Sequence, residues 1–126
     1  MPLLLEACPS FRPVWEYDLD DDDRELAYIC LGCFAGHLLE LHRQGRRDEF
    51  GAVAEVVEKL HVDGDHYVRE AATIGLLEGI QNVWGNCGVD PEEFRPFLLP
   101  ESAKWWDQLN LLIYESKRSK YGAFGA

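Results

Sequence analysis

Val68–Asn82 reads VREAATIGLLEGIQN, and the fold turns on how this stretch packs. Val68, Ala72, Gly75, Gly79 and Val83 recur at steps of three and four, which places them on one face of a helix. Ala71, Gly75 and Gly79 form an i, i+4 row almost without side-chain bulk. Each interior glycine costs a helix roughly 1 kcal/mol relative to alanine, so two in one helix imply a compensating contact. A ridge without side chains lets a second helix approach closer than the usual spacing of about 8–10 Å. Upstream, Gly32, Ala35 and Gly36 make another small-residue row, and the pattern predicts that the two helices cross at these rows. The rival reading is that the bare ridge leaves room for a ligand.

Working outward, the chain reads as helices throughout. Leu3–Cys8 is expected to form a first short helix stopped by Pro9, with a second piece near Pro13–Tyr17. Arg24 to Arg43 carries Leu26, Ile29, Cys30, Cys33, Phe34, His37, Leu38 and Leu41 on one broad face, and Gln44-Gly45 ends it. Arg47–His61 turns Phe50, Val53, Ala54, Val57 and Leu60 inward, and Val62-Asp63-Gly64-Asp65 makes a tight turn. The helix containing Val68–Asn82 is expected to end near Trp84-Gly85. Asp90-Pro91-Glu92-Glu93 has the form of a helix start, cut short by Pro96 and Pro100. The last helix opens at Pro100-Glu101 and carries Trp105, Trp106, Leu109, Leu112 and Ile113, ending in the basic patch Lys117, Arg118 and Lys120. No sustained alternating β-branched run occurs. The expectation is an all-α, single-domain helical bundle of about six helices over residues 1–120, with 121–126 as a flexible tail.

Charge limits the partners. Twelve basic residues against 23 acidic ones give a net charge of −11, a sign that repels phosphate backbones and anionic lipid headgroups. Direct nucleic-acid or membrane binding is therefore disfavoured, whereas a basic protein would be steered toward the chain. The opening MPLLLEACPSF has no basic n-region, and its apolar run is too short for a signal peptide or a membrane span, so a cytoplasmic location is expected. In that compartment Cys8, Cys30, Cys33 and Cys87 are expected to stay reduced.

Chemistry-bearing motifs are scarce. The chain has no phosphate loop, no dinucleotide glycine pattern, no HExxH and no GxSxG, so no catalytic residues and no cofactor are assigned and the protein is not expected to be an enzyme. Cys30, Cys33 and His37 fall at i, i+3 and i+7 of one helix, a spacing that could point three zinc ligands the same way. The face they share is otherwise apolar, and reduced cysteines commonly act as small buried hydrophobes. The CxxC of Cys30 and Cys33 lies mid-helix with no preceding strand, unlike a redox motif. Glu58 and His61 have ExxH spacing, but a di-iron bundle needs two copies, so a solvated helix end is the expected reading. The acidic run Asp18–Asp23 lacks the loop glycine and distal glutamate of a calcium-binding hand and reads as helix capping. On the long central helix, Glu78, Gln81 and Asn82 are polar exceptions that could bind a partner.

Asp63–Leu76, DGDHYVREAATIGL, resembles the second-helix half of a HEAT-type repeat, and the resemblance covers one helical hairpin, about Arg47 to Trp84. No second copy is evident, so a solenoid is not implied. Most of the chain, through GLLEGIQN and LPESAKWW, resembles a family of small helical bacterial proteins, some of whose relatives look like immunity proteins encoded beside secreted toxins. That resemblance implies the helical fold and a bacterial cytoplasmic setting, and transfers no catalytic residue. With the charge, it implies an acidic module that binds another, basic protein through Asp20, Asp21, Asp22, Asp23, Glu55, Glu58, Asp63, Asp65, Glu78, Gln81 and Asn82. The alternatives are a metal-binding or redox protein using Cys30, Cys33 and His37, and a homodimeric scaffold joined through the tryptophans of the last helix. Adjacent Trp105 and Trp106 cannot both be buried by one helix face.

Overall fold

Proline and glycine divide the chain into its elements. In the computed structural model, which describes residues 2–22 and 27–125 with side chains through residue 112, α1 (Pro2–Ala7) gives way at Pro9 to a 3-10 turn (Pro9–Phe11) and then a π-helical turn (Val14–Asp18). Two longer helices follow, α2 (Ala27–Arg43) and α3 (Phe50–Asp63). One unbroken helical run then comprises α4 (His66–Glu70), a π-helical stretch (Ala71–Leu77) and α5 (Glu78–Asn86). Two 3-10 turns, Pro91–Glu93 and Arg95–Phe97, lead into α6 (Pro100–Gly125). Among the described residues there is no strand, and the architecture is the expected all-α single-domain bundle.

Local chemistry explains the ends. Asp65 starts α4 by accepting a hydrogen bond from the Val68 backbone N–H at 3.0 Å. Asp90 does the same for Glu92 at 3.0 Å, but the segment it opens forms 3-10 turns rather than the expected α-helix, because Pro96 removes a donor before a second turn can close. Gly45 follows α2 with φ +73°, as its position predicts. The central run continues past Trp84-Gly85 to Asn86, and the left-handed residue that stops it is Gly88, with φ +80°.

The small-residue crossing forms, with a change of partners. α2 packs against both the π-helical stretch and α5. A Cβ on Gly79 would lie 3.9 Å from the Ala35 Cβ, and one on Gly75 would come within 2.6 Å of Leu31 Cδ1. Gly32 and Gly36 face no neighbour within 4 Å, so the ridge of Gly75 and Gly79 meets Leu31, Ala35 and Tyr28 instead of a glycine row. Bulk on α2 fills the groove that the bare ridge leaves open. Trp84 reinforces the crossing by donating its indole N–H to the Ala35 carbonyl at 3.1 Å.

An aromatic cluster closes the core at the other end. Phe94 is fully buried between Phe50 (5.4 Å between centroids), Trp84 (5.6 Å), Phe97 (5.9 Å) and Trp106 (6.5 Å). Trp106 is 0% exposed and Trp105 38%, the split that adjacency on one helix requires. Ile29, expected on the apolar face of α2, is exposed, as is Leu112 on α6. Leu26, Ile113 and the patch Lys117, Arg118 and Lys120 lie outside the residues whose side chains are described. The α6 backbone is helical through Gly125, across most of the expected tail.

Candidate functional site

Two polar clusters penetrate this apolar core, and they share one wiring. Each joins a histidine, a serine and a glutamate, the first from three segments of the chain and the second from α3 and α6.

The first forms where Pro9 turns the chain after α1. Ser10, in the 3-10 turn, donates its backbone N–H to Glu49 Oε1 at 3.1 Å and its hydroxyl to Glu49 Oε2. Glu49 immediately precedes α3. His37, on α2, brings Nε2 to 2.8 Å from the Ser10 hydroxyl. Since that hydroxyl already donates to a carboxylate, Nε2–H is the donor to its oxygen. Cys8 is fully buried and donates its S–H to Glu49 Oε2 at 3.3 Å, lying 3.5 Å from the Ser10 hydroxyl. Burial pushes the Cys8 thiol up to about 11, and the Glu49 charge pushes the same way. Burial holds His37 below its ordinary value, helped by Arg46 and opposed by Glu49. Burial pushes the Glu49 carboxyl up, but the hydrogen bonds from Ser10 and Cys8 outweigh it and hold it below the usual range.

The second cluster ties α3 to α6. Ser102 donates its backbone N–H and its hydroxyl to Glu58 Oε1, at 2.8 and 2.9 Å, while Glu101 N–H reaches Glu58 Oε2 at 3.0 Å. His61 Nδ1 lies 2.9 Å from the Val57 carbonyl, which can only accept, so Nδ1 carries the proton and also faces the Ser102 hydroxyl at 3.1 Å. Nε2 then accepts from the Thr73 hydroxyl at 2.9 Å. In both clusters serine stands between imidazole and carboxylate. A hydrolase triad has the imidazole in the middle, so neither cluster is wired to generate a serine nucleophile.

The residues expected from sequence separate into two groups. Asp20, Asp21, Asp22, Glu55, Asp63, Asp65 and Asn82 are exposed, and Glu78 is half-buried; Asp23 lies outside the described residues. Glu58 is not a free surface carboxylate, because it caps α6. Gln81 is buried and donates its amide N–H to the Trp106 carbonyl at 3.3 Å, so it cannot reach a partner. The Glu58–His61 end of α3 is likewise an interior network rather than a solvated helix end. Cys30, Cys33 and His37 do not converge; among the described residues, the ligand atoms that come within 4.8 Å of one another are those of Cys8, His37 and Glu49. Their helix spacing gave His37 the right face, but the imidazole is taken by Ser10. Cys8, Ser10 and Glu49 escaped the sequence reading because 39 or 41 residues separate each contact. The one local signal was Cys8-Pro9-Ser10, a sharp turn that exposes backbone donors.

The described residues form an all-helical protein with two partly buried histidine–serine–glutamate clusters and an acidic exterior. It belongs to the family described as Domain of unknown function (DUF7674), which matches residues 1–114. No curated protein and no solved structure matches the chain. Among the described residues, no helix is long and apolar enough to cross a membrane.

Proposed function

We propose that this protein works by binding another, basic protein, in its sharpest form as a bacterial, cytoplasmic immunity-type inhibitor that covers a basic toxin. The observation that carries the reading is the setting of the two most exposed tyrosines among the described residues. Tyr17 and Tyr67 are each 82% exposed. Tyr17 sits among the exposed Glu16, Asp18, Asp20, Asp21 and Asp22, and Tyr67 follows the exposed Val62, Asp63 and Asp65. Tyrosine supplies large contact area at low entropic cost and is a frequent binding hot spot, while surrounding carboxylates steer a cationic partner. The net charge of −11 supplies the long-range field for that steering. The test is calorimetry against the basic protein encoded beside this gene, at low and high salt. A complex that weakens as salt rises, and that weakens about tenfold or more in Tyr67→Ala, supports the reading; absence of binding at low salt overturns it.

A second reading, self-association, is favoured by α6. Trp105, Leu111 and Leu112 are exposed along it, with Trp105 and Leu112 on one face. Sedimentation equilibrium showing a monomer at all concentrations would reject it.

A further inference from the structure

The two clusters differ in one atom type that matters. The Glu58 cluster closes on hydroxyls and a carbonyl, all hard oxygen groups around His61. The Glu49 cluster adds a thiol, so sulfur, imidazole nitrogen and carboxylate oxygen converge from α1's end, α2 and the start of α3. This is the mixed donor set that zinc favours, and catalytic or structural zinc sites draw on these ligand types.

We propose that Cys8, His37 and Glu49 form a site for a zinc-class divalent cation, with the Ser10 hydroxyl facing the fourth coordination position. The spacing fits. Zinc bonds of about 2.3 Å to sulfur and about 2.0 Å to oxygen or nitrogen, held tetrahedrally, set ligand–ligand separations of about 3.3–3.5 Å. Cys8 Sγ and Glu49 Oε2 are already 3.3 Å apart, and Sγ is 3.5 Å from the Ser10 hydroxyl. The Ser10 hydroxyl, at 2.8 Å from His37 Nε2, is tighter than a tetrahedral edge, so it must move outward by a fraction of an ångström when the ion enters. Cys8 lies 41 residues from Glu49, too far for an unfolded chain to hold the three ligands together, so binding is coupled to the fold.

The protons balance simply. Glu49 is already a carboxylate and His37 a neutral imidazole, whose proton passes from Nε2 to Nδ1 as Nε2 takes the ion. The Cys8 S–H bond breaks and its proton leaves to solvent, so each ion bound releases one proton and no electron moves. Cys87, exposed on the surface, and the acidic exterior are the competing places for an ion, and the site differs from them in having one buried thiolate ligand.

The experiment loads the full-length protein with Zn²⁺ or Co²⁺ after removing metal with a chelator. Expected are one ion retained per chain after gel filtration, a sulfur-to-cobalt charge-transfer band, and a zinc-dependent rise in melting temperature. All three should be lost in Cys8→Ser and His37→Gln and kept in Cys87→Ser. A cobalt spectrum without the sulfur band in the wild type, no retained ion, or equal retention in Cys8→Ser overturns the proposal. If Cys8→Ser or His37→Gln fails to fold, the wild-type cobalt spectrum decides together with protection of Cys8 from an alkylating reagent by zinc in Cys87→Ser.

Discussion

Ser102 places both its backbone nitrogen and its hydroxyl within 2.9 Å of one Glu58 oxygen, so a carboxylate on α3 caps the first turn of α6 from across the bundle. Helix N-termini leave unpaired N–H groups, and a cap normally comes from the residue before the helix. Leu99 and Pro100 cannot provide one, and Glu58 supplies the acceptor instead. Burial pushes this carboxyl up, but the hydrogen bonds from Glu101 and Ser102 outweigh it and hold it below the usual range. Glu58→Ala should therefore lose about 1–2 kcal/mol of stability, read by urea denaturation. Glu58→Gln should recover part of it, since an amide oxygen can still accept. A loss no larger than that of Glu55→Ala, an exposed carboxylate on the same helix, would refute the cap.

His61 sets a pH limit on the fold. Burial lowers it from an ordinary value of 6.5, opposed by the Val57 carbonyl and by Glu58 and Glu101, so the folded protein keeps it neutral. Above pH 6.5 neither the folded nor the unfolded form binds the proton, and the contribution to stability is complete. Below it the unfolded chain takes a proton that the native state refuses, and stability falls by up to about 1.4 kcal/mol per pH unit for each such group. His37, shifted in the same direction, adds to the slope in metal-free protein. Glu58 extends the loss below pH 4.5 as its depressed carboxylate is protonated. Chemical denaturation between pH 7.5 and 5 should show this decline, and His61→Gln should flatten it. An unchanged slope in that variant would place the titration elsewhere.

The two glycines of the central ridge make opposite predictions. At Gly79 a methyl group meets the Ala35 Cβ at an ordinary 3.9 Å, so Gly79→Ala should stabilise by up to about 1 kcal/mol through helix propensity. At Gly75 the same methyl would stand 2.6 Å from Leu31 Cδ1 and 3.3 Å from the Tyr28 ring. Both Leu31 and the Tyr28 ring must shift to admit it, and that overpacking, about 1–3 kcal/mol, outweighs the propensity gain. Thermal unfolding of the two single variants should move the melting temperature in opposite directions.

These outcomes show how far the sequence could be read. Apolar periodicity, Asp65, Asp90, Gly45 and the prolines are local signals, and they place the helices within a few residues. The crossing of the central run with α2 was legible from the bare ridge, because small residues have meaning only against something that approaches them. The identity of the approaching side chains was not, since Gly32 and Gly36 carry the same local signature as Gly75 and Gly79 but face no neighbour within 4 Å. The histidine clusters were invisible for a different reason. Their glutamates meet serines 39 and 44 residues away, and hydrogen-bond partners at that range leave no period in the sequence. ExxH spacing at Glu58 and His61 put both residues on adjacent turns, which is correct, yet spacing could not reveal that α6 would cover them.

Gln81 and Tyr67 separate the core from the proposed interface. Gln81 donates to the Trp106 carbonyl at a long 3.3 Å, and its amide oxygen has no partner among the described residues. Replacing a side chain that makes one weak bond and strands one acceptor by an apolar group of similar size removes a gain and a penalty together. Gln81→Leu should therefore shift stability by less than about 1 kcal/mol, whereas Gln81→Ala opens a void beside Trp106 and should cost about 2 kcal/mol. Neither change reaches the surface, so binding of a basic partner should be unaffected at temperatures where the variants are folded. Tyr67→Ala should behave in the reverse way, leaving the denaturation midpoint within about 0.5 kcal/mol of wild type while weakening the complex. If Gln81→Leu weakened binding and Tyr67→Ala did not, the contact surface would have to lie around α5 and α6, and the tyrosine-centred acidic patches would be only solvent-facing decoration of the helix ends.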